Sequence, residues 1–170
     1  MRNVEIKAKI RDMVKILAKA KELSGSEGVS IPQHDTFYKA PLGRLKLRRF
    51  ETGNAELIYY DRPDAEGPSL SQFELHDVQA PNVNSLNNVL SKALGTIGDV
   101  KKIRQLFIVG QTRIHVDKVE NLGDFMELEV VLKQEQTLED GQKIADDLMS
   151  KLEIEKEDLL SCAYTDLLNK

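Results

Sequence analysis

Val4-Glu5-Ile6-Lys7-Ala8-Lys9-Ile10 alternates strictly between apolar and charged residues. Side chains along a strand point to opposite faces with a period of two. The stretch therefore reads as a strand with Val4, Ile6, Ala8 and Ile10 on one face and Glu5, Lys7 and Lys9 on the other. The pattern recurs. Arg44, Lys46 and Arg48 share a face in Arg44-Leu45-Lys46-Leu47-Arg48, and Lys102 and Arg104 share one in Val100-Lys101-Lys102-Ile103-Arg104. Arg113, His115 and Asp117 oppose Ile114 and Val116, while Glu127 and Glu129 oppose Met126, Leu128 and Val130.

Around these strands the chain is punctuated by caps and turns. Asp12 reads as a helix N-cap ahead of Met13, Ile16, Leu17 and Ala20 at helical spacing, with Ser24-Gly25 as the stop. Residues 24–32 read as a loop and 35–38 as a short strand. Glu56 to Arg62 partners the strand at 44–48 across Gly53-Asn54, which predicts a hairpin. Residues 63–68 read as a loop and 72–78 as another strand. A second helix carries Leu86, Val89, Leu90 and Leu94 and stops at Gly95. Strands follow at 100–109, 112–119 and 126–132. A helix carrying Leu138, Ile144, Leu148, Met149 and Leu152 comes next, and 159–168 reads as a last short helix. Short turns favour antiparallel pairing over crossover units. The class is α+β, with no domain boundary in residues 1–170.

At 170 residues, 41% hydrophobic and 31% charged, the chain has the make-up of a soluble globular protein with a sizeable core. A net charge of -4 offers no broad cationic surface for nucleic acid, although it leaves room for a local basic pocket. Cys162 is the single cysteine, so no intramolecular disulfide forms, and a reducing, cytoplasmic setting is expected. The first residues hold no apolar signal core, and no run approaches the roughly 18 apolar residues of a membrane span. No P-loop and no zinc spacing occurs. His34 reads as an exposed polar residue beside a loop. His76 lies on a strand beside Glu74, and His115, between Arg113 and Asp117, suits an orienting role.

Periodicity alone is compatible with a sheet whose charged face lies in water. Two features point elsewhere. The charges sort by sign, with cations at 44–48 and 102–104 and an acidic pair at Glu127 and Glu129, whereas a solvated face intersperses them. The apolar faces and helices also suit an outer layer around a closed sheet. With the charged faces turned inward, Arg and Lys would hold phosphate oxygens. Glu127 and Glu129, about 7 Å apart along their strand, would hold a hard divalent cation.

These stretches resemble the CYTH superfamily, the triphosphate tunnel metalloenzymes. Glu5-Ile6-Lys7-Ala8-Lys9 resembles the family signature Glu-x-Glu-x-Lys. Asp35-Thr36-Phe37-Tyr38, Arg44 to Arg48, Lys101 to Arg104, and Arg113 to Asp117 with Leu122 to Glu129 follow in the family's order. The last of these is similar to the class IV adenylyl cyclase branch, and Tyr164 matches a terminal tyrosine motif. The resemblance implies a closed eight-stranded antiparallel β-barrel, or tunnel, with helices outside, a divalent metal (Mg²⁺ or Mn²⁺), and a small-molecule triphosphate as partner. Nucleic acid and membrane are not implied, and the chain would be a monomer or homodimer. Members include thiamine triphosphatase, inorganic tripolyphosphatase, RNA triphosphatase and class IV adenylyl cyclase.

Residue by residue, the resemblance makes Lys7, Lys9, Lys46 and Arg48 phosphate ligands, with Arg62, Lys102, Arg104 and Arg113 completing the set. It makes Glu5, Asp117, Glu127 and Glu129 metal ligands or holders of the attacking water, and Lys9, Glu127 and Glu129 the catalytic residues. Lys7 departs from the signature by replacing its middle carboxylate. His76 stands where some members have an acid, and Asp61 where a lysine is often found. The implied activity is metal-dependent triphosphate hydrolysis. Formation of cyclic AMP and pyrophosphate from ATP is the alternative, with Phe37, Tyr59 and Tyr60 able to stack a base or to pack in the core. A triphosphate-binding module without turnover is a third reading.

Overall fold

The computed structural model describes residues 1–63 and 66–169. Nine strands form one antiparallel sheet: β1 (Arg2–Lys9), β2 (Val29–Tyr38), β3 (Arg44–Phe50), β4 (Ala55–Asp61), β5 (Ser69–Val78), β6 (Thr96–Val109), β7 (Thr112–Val119), β8 (Gly123–Val131) and β9 (Leu159–Leu160). The helices are α1 (Met13–Ser24), α2 (Ala80–Leu94), α3 (Leu138–Lys151) and α4 (Tyr164–Leu168). The strands run β5-β4-β3-β2-β6-β7-β8-β1, and β1 pairs back onto β5. Eight strands thus close into the expected barrel, with the helices outside.

The alternation in β1 decides which face goes where. Val4, Ile6 and Ala8 pack with Ile114, Val116, Met126, Leu128 and Val130 beneath Ala20 of α1 and Ala145 and Leu148 of α3. A second apolar layer, Tyr38, Leu47, Ala55 and Val78, lies beneath Val83 of α2. Burying apolar surface at about 25 cal/mol per Å² rewards this arrangement, and it leaves the charged faces no place but the interior. A third cluster is different. Phe37, Val100, Val119 and Phe125 lie on the inward faces of their strands and meet Tyr164, with Leu160, Leu167 and Leu168 against them. The C-terminal segment therefore stoppers one end of the barrel. The helix caps are those expected: Asp12 accepts a hydrogen bond from the Lys15 N–H at 3.1 Å, and Gly25 is left-handed at φ 65°.

Three expectations are corrected. The loop expected over 24–32 ends early, because β2 begins at Val29 and pairs with β6 from there. Pro32 sits where β2 has β6 alone as neighbour, since β3 pairs only from Gln33 onward, and an edge position tolerates a residue without an N–H. The strands expected from residues 72, 100 and 126 start at Ser69, Thr96 and Gly123. The helix expected over 159–168 is split: Leu159 and Leu160 form β9, and only Tyr164–Leu168 is helical. The reason lies on β1, whose Arg2 to Glu5 pair with β5 while Lys7 and Ala8 extend beyond it and take β9 as partner. Backbone groups left unpaired there would be costly. The loop expected over 63–68 falls partly on residues 64 and 65, outside the described residues. Among the described residues no helix is long and apolar enough to cross a membrane.

Gly141 lets α3 approach the barrel. A Cβ there would stand 2.4 Å from Val4 Cγ2 and 2.8 Å from Leu132 Cδ2. Alanine ordinarily improves a helix interior by about 1 kcal/mol over glycine. Here the stiff, fully buried Val4 cannot retreat, so overpacking wins. Gly141→Ala is expected to lower unfolding stability by ~1–3 kcal/mol in urea denaturation. An unchanged or raised midpoint would contradict this packing.

Candidate active site

The inward faces of the eight strands enclose one cavity. Its cationic wall comes from β3 and β6, where alternation brings Lys46 and Arg48 beside Lys102 and Arg104. Asp35 of β2 lies between them, fully buried. Arg48 donates to its two oxygens from Nε at 2.9 Å and Nη2 at 2.8 Å, Lys102 donates at 2.9 Å, and Lys46 stands 3.8 Å away. Burial alone would raise the Asp35 carboxyl, but Arg48, Lys102 and Lys46 hold it well below the usual carboxylate range. The lysines show the opposite strain. Burial, then Arg48, pushes Lys46 down to about 7 against the pull of Asp35. Burial pushes Lys102 down to about 8, again opposed by Asp35.

Asp117 forms a second clamp. Arg104 donates to both of its oxygens at 2.8 Å, and the Tyr164 hydroxyl donates to Oδ2 at 2.9 Å. A carboxylate held this way engages two of a guanidinium's five donors and leaves the rest of the fork for an anion.

The acidic wall comes from β1 and β8. Glu5 faces Glu129 across the strand pair and Lys7 faces Glu127, while on the other side His115 of β7 faces Glu127. His115 Nδ1 lies 3.9 Å from Glu127 Oε2 and 3.9 Å from Glu129 Oε1. One ligand atom from each of these three residues falls within 4.8 Å of the others. His115 Nδ1 is buried and has no hydrogen-bond partner among the described residues. An unsatisfied imidazole nitrogen aimed between two carboxylates is a donor set that fits Mg²⁺ or Mn²⁺, the latter accepting nitrogen more readily. Burial, with Glu129 and Glu127 as neighbours, raises Glu5 to about 7 despite Arg62 at 3.2 Å and the more distant Lys46. Burial would raise Glu127 too, but Lys7 at 3.4 Å, His115 and Arg104 hold it well below the usual range.

Of the residues expected at the site, Glu5, Lys7, Lys46, Arg48, Arg62, Lys102, Arg104, Arg113, Glu127 and Glu129 all line this cavity. Two do not join them. Lys9 ends β1 and is exposed, outside the cavity wall. Asp117 is fully buried behind Arg104, with both oxygens engaged, and lies apart from the His115, Glu127 and Glu129 group. Phe37 and Tyr60 face inward, whereas Tyr59 is 37% exposed on the outside. Asp35 was not expected at the site, because the next inward position on its strand is Phe37 and no second charge marks that face. His115 carried a signal, its shared face with Arg113, yet only the fold sets it between two carboxylates.

The CYTH domain family model matches residues 1–164. No curated protein matches the chain. Among solved structures, the PH1012 protein of Pyrococcus horikoshii is similar at TM-score 0.83 and 24% identity, covering 97% of this chain and 98% of its own. A candidate adenylate cyclase of Vibrio parahaemolyticus is similar at TM-score 0.76 and 19% identity, covering 99% and 98%. The S. pombe Pct1 RNA triphosphatase is similar at TM-score 0.51 and 12% identity, covering 89% and 78%. At these identities the likeness is one of fold.

An anion entering beside Lys46 and Lys102 favours their charged forms and raises both from about 7 and about 8. Binding should therefore take up protons between pH 7 and pH 8.5 and lose that uptake below about pH 6, where both are already charged. Sulfate, which does not titrate in this range, is the suitable probe. Calorimetric titration in two buffers of different ionisation enthalpy checks the sign, and net proton release at pH 8 would contradict it.

Proposed function

This chain belongs to the CYTH domain family, and from that premise we propose that it is a metal-dependent phosphohydrolase acting on a triphosphate bound inside the barrel. One observation carries the reading. A single cavity sets Lys46, Arg48, Lys102 and Arg104 against a carboxylate and imidazole group of Glu127, Glu129 and His115. Four cations suit a polyanion, but the carboxylates opposite would repel it. The two walls are compatible with one ligand when a divalent cation lies between them.

Glu127, Glu129 and His115 would hold that Mg²⁺ or Mn²⁺, with Glu5 next to Glu129. When bound, the ion neutralises phosphoryl oxygens and lowers the pKa of an adjacent water. The rest falls to side chains. Arg48 and Arg104, oriented by Asp35 and Asp117, would bind non-bridging oxygens through their remaining N–H groups. The Lys46 and Lys102 ammoniums would neutralise charge gathering on the leaving diphosphate. Water attacks the terminal phosphorus, the bridging P–O bond breaks, the diphosphate portion leaves with the bond's electron pair, and orthophosphate is the second product. The Glu5 carboxylate, beside Glu129 and oriented by Arg62 at 3.2 Å, would take the water's proton.

Lys7 favours keeping a second reading. Its ammonium touches Glu127 inside the site, so one carboxylate is already partly neutralised. Cyclisation of ATP draws its nucleophile from the substrate, the ribose 3′-hydroxyl, and expels pyrophosphate without a positioned water.

Glu127→Gln and Glu129→Gln are each expected to lower metal-dependent phosphate release by about 100-fold or more. The assay uses tripolyphosphate, thiamine triphosphate, ATP and GTP with Mg²⁺ and Mn²⁺ and identifies every phosphorus product. Undiminished release in both variants would remove the hydrolase reading. Cyclic AMP with pyrophosphate from ATP would establish the second.

A further inference from the structure

The stretch of wall from Asn3 of β1 along β5 has no part in the chemistry above. Asn3 and Ser71 sit opposite each other across that strand pair, and both line the cavity. They are 4% and 1% exposed. Asn3 Oδ1 and Ser71 Oγ have no hydrogen-bond partner among the described residues. Buried polar atoms are paired in the great majority of cases, and those that are not call for an explanation. Two such atoms, neighbours on one wall and facing one cavity, are placed to bond to something that enters it.

Their surroundings define what that is. From Ser71 the next inward positions along β5 are Phe73 and Leu75, and Ile58 of β4 lies beside Leu75. Leu75 is 38% exposed, so this strip runs from the buried pair toward the open end of the barrel, away from the Tyr164 stopper. It carries an amide, a hydroxyl and apolar side chains, and the charged neighbours at its inner end, Glu5 and Arg62, are paired with each other at 3.2 Å. Tripolyphosphate is anionic from end to end and has no segment that suits such a wall. A triphosphate with an uncharged, hydroxyl-bearing ring substituent does: its phosphates lie along the cations of β3 and β6 while the substituent extends toward the mouth.

We infer that Asn3 and Ser71 are specificity-determining residues that hydrogen-bond to an uncharged organic substituent of the triphosphate, with Phe73 and Leu75 packing on its apolar face. The inference rests on the triphosphate reading and adds to it that the substrate is organic. A site built to hydrogen-bond a substrate group discriminates against an analogue lacking that group, because its own buried polar atoms are then left unpaired.

The test compares kcat/KM for the four ribonucleoside triphosphates with that for tripolyphosphate, in the full chain and in Asn3→Ala and Ser71→Ala. The wild type should prefer at least one nucleoside triphosphate by about tenfold or more, and each variant should reduce that preference by about tenfold. Turnover of tripolyphosphate should stay within about twofold in both variants, which guards against a general folding defect. A wild type that prefers tripolyphosphate, or variants that lose both substrates in parallel, would overturn the inference and leave the triphosphate reading standing. Turnover of neither class, nor of thiamine triphosphate, would overturn both.

Discussion

The cluster around Asp35 is the constraint on which the interior depends. Arg48, Lys102 and Lys46 converge on one side of a closed barrel, and without a buried counter-charge their mutual repulsion and desolvation would be prohibitive. Asp35 supplies that charge while keeping the cations fixed in orientation. Asp117 does the same for Arg104, and Tyr164 ties it to the C-terminal segment. Such pairs are weak sources of stability compared with well-packed apolar groups. Their return is preorganisation: donors already aimed at an anion need little rearrangement when it arrives.

Stability comes from the other face of the same strands. Val4, Ile6, Leu128 and Val130 are at most 2% exposed and pack outward beneath α1 and α3. The barrel is thus inverted relative to a protein with an apolar centre. Alternation divides the labour, one face building the shell and the other the site. The C-terminal segment joins the two. Leu167 and Leu168 pack on the apolar cluster inside one end, while the Cys162 carbonyl accepts a hydrogen bond from Lys7 and the Tyr164 ring lies 4.0 Å from the same ammonium. Closure of that end leaves the opposite mouth, bordered by Arg113 and Leu75, as the approach to the cavity.

Much of this was legible in the residues, and the failures have physical causes. Period-two alternation in β1, β7 and β8 places the right side chains on one face without any knowledge of the fold. It cannot say whether that face meets water or a cavity; sorting of charge by sign and the family resemblance supplied that step. Lys9 shares its face with Glu5 and Lys7, but period says nothing of position along the barrel axis, and β1 ends there with its side chain exposed. Asp117 reads as a ligand beside Arg113 and His115 until its partner on β6 is known, because alternation along one strand does not fix the hairpin register that sets Arg104 opposite it. Leu159 and Leu160 look helical by composition, whereas an unpaired stretch of β1 draws them into the sheet.

A divalent metal and a triphosphate would share one cavity, with the anion on the cationic wall and the metal on the acidic one. Anomalous diffraction from crystals grown with Mn²⁺ and a non-hydrolysable triphosphate analogue tests this directly. A manganese peak is expected between Glu127, Glu129 and His115, and phosphate oxygens on Lys46, Arg48, Lys102 and Arg104. A metal bound outside the barrel, or phosphates that avoid those four side chains, would contradict it.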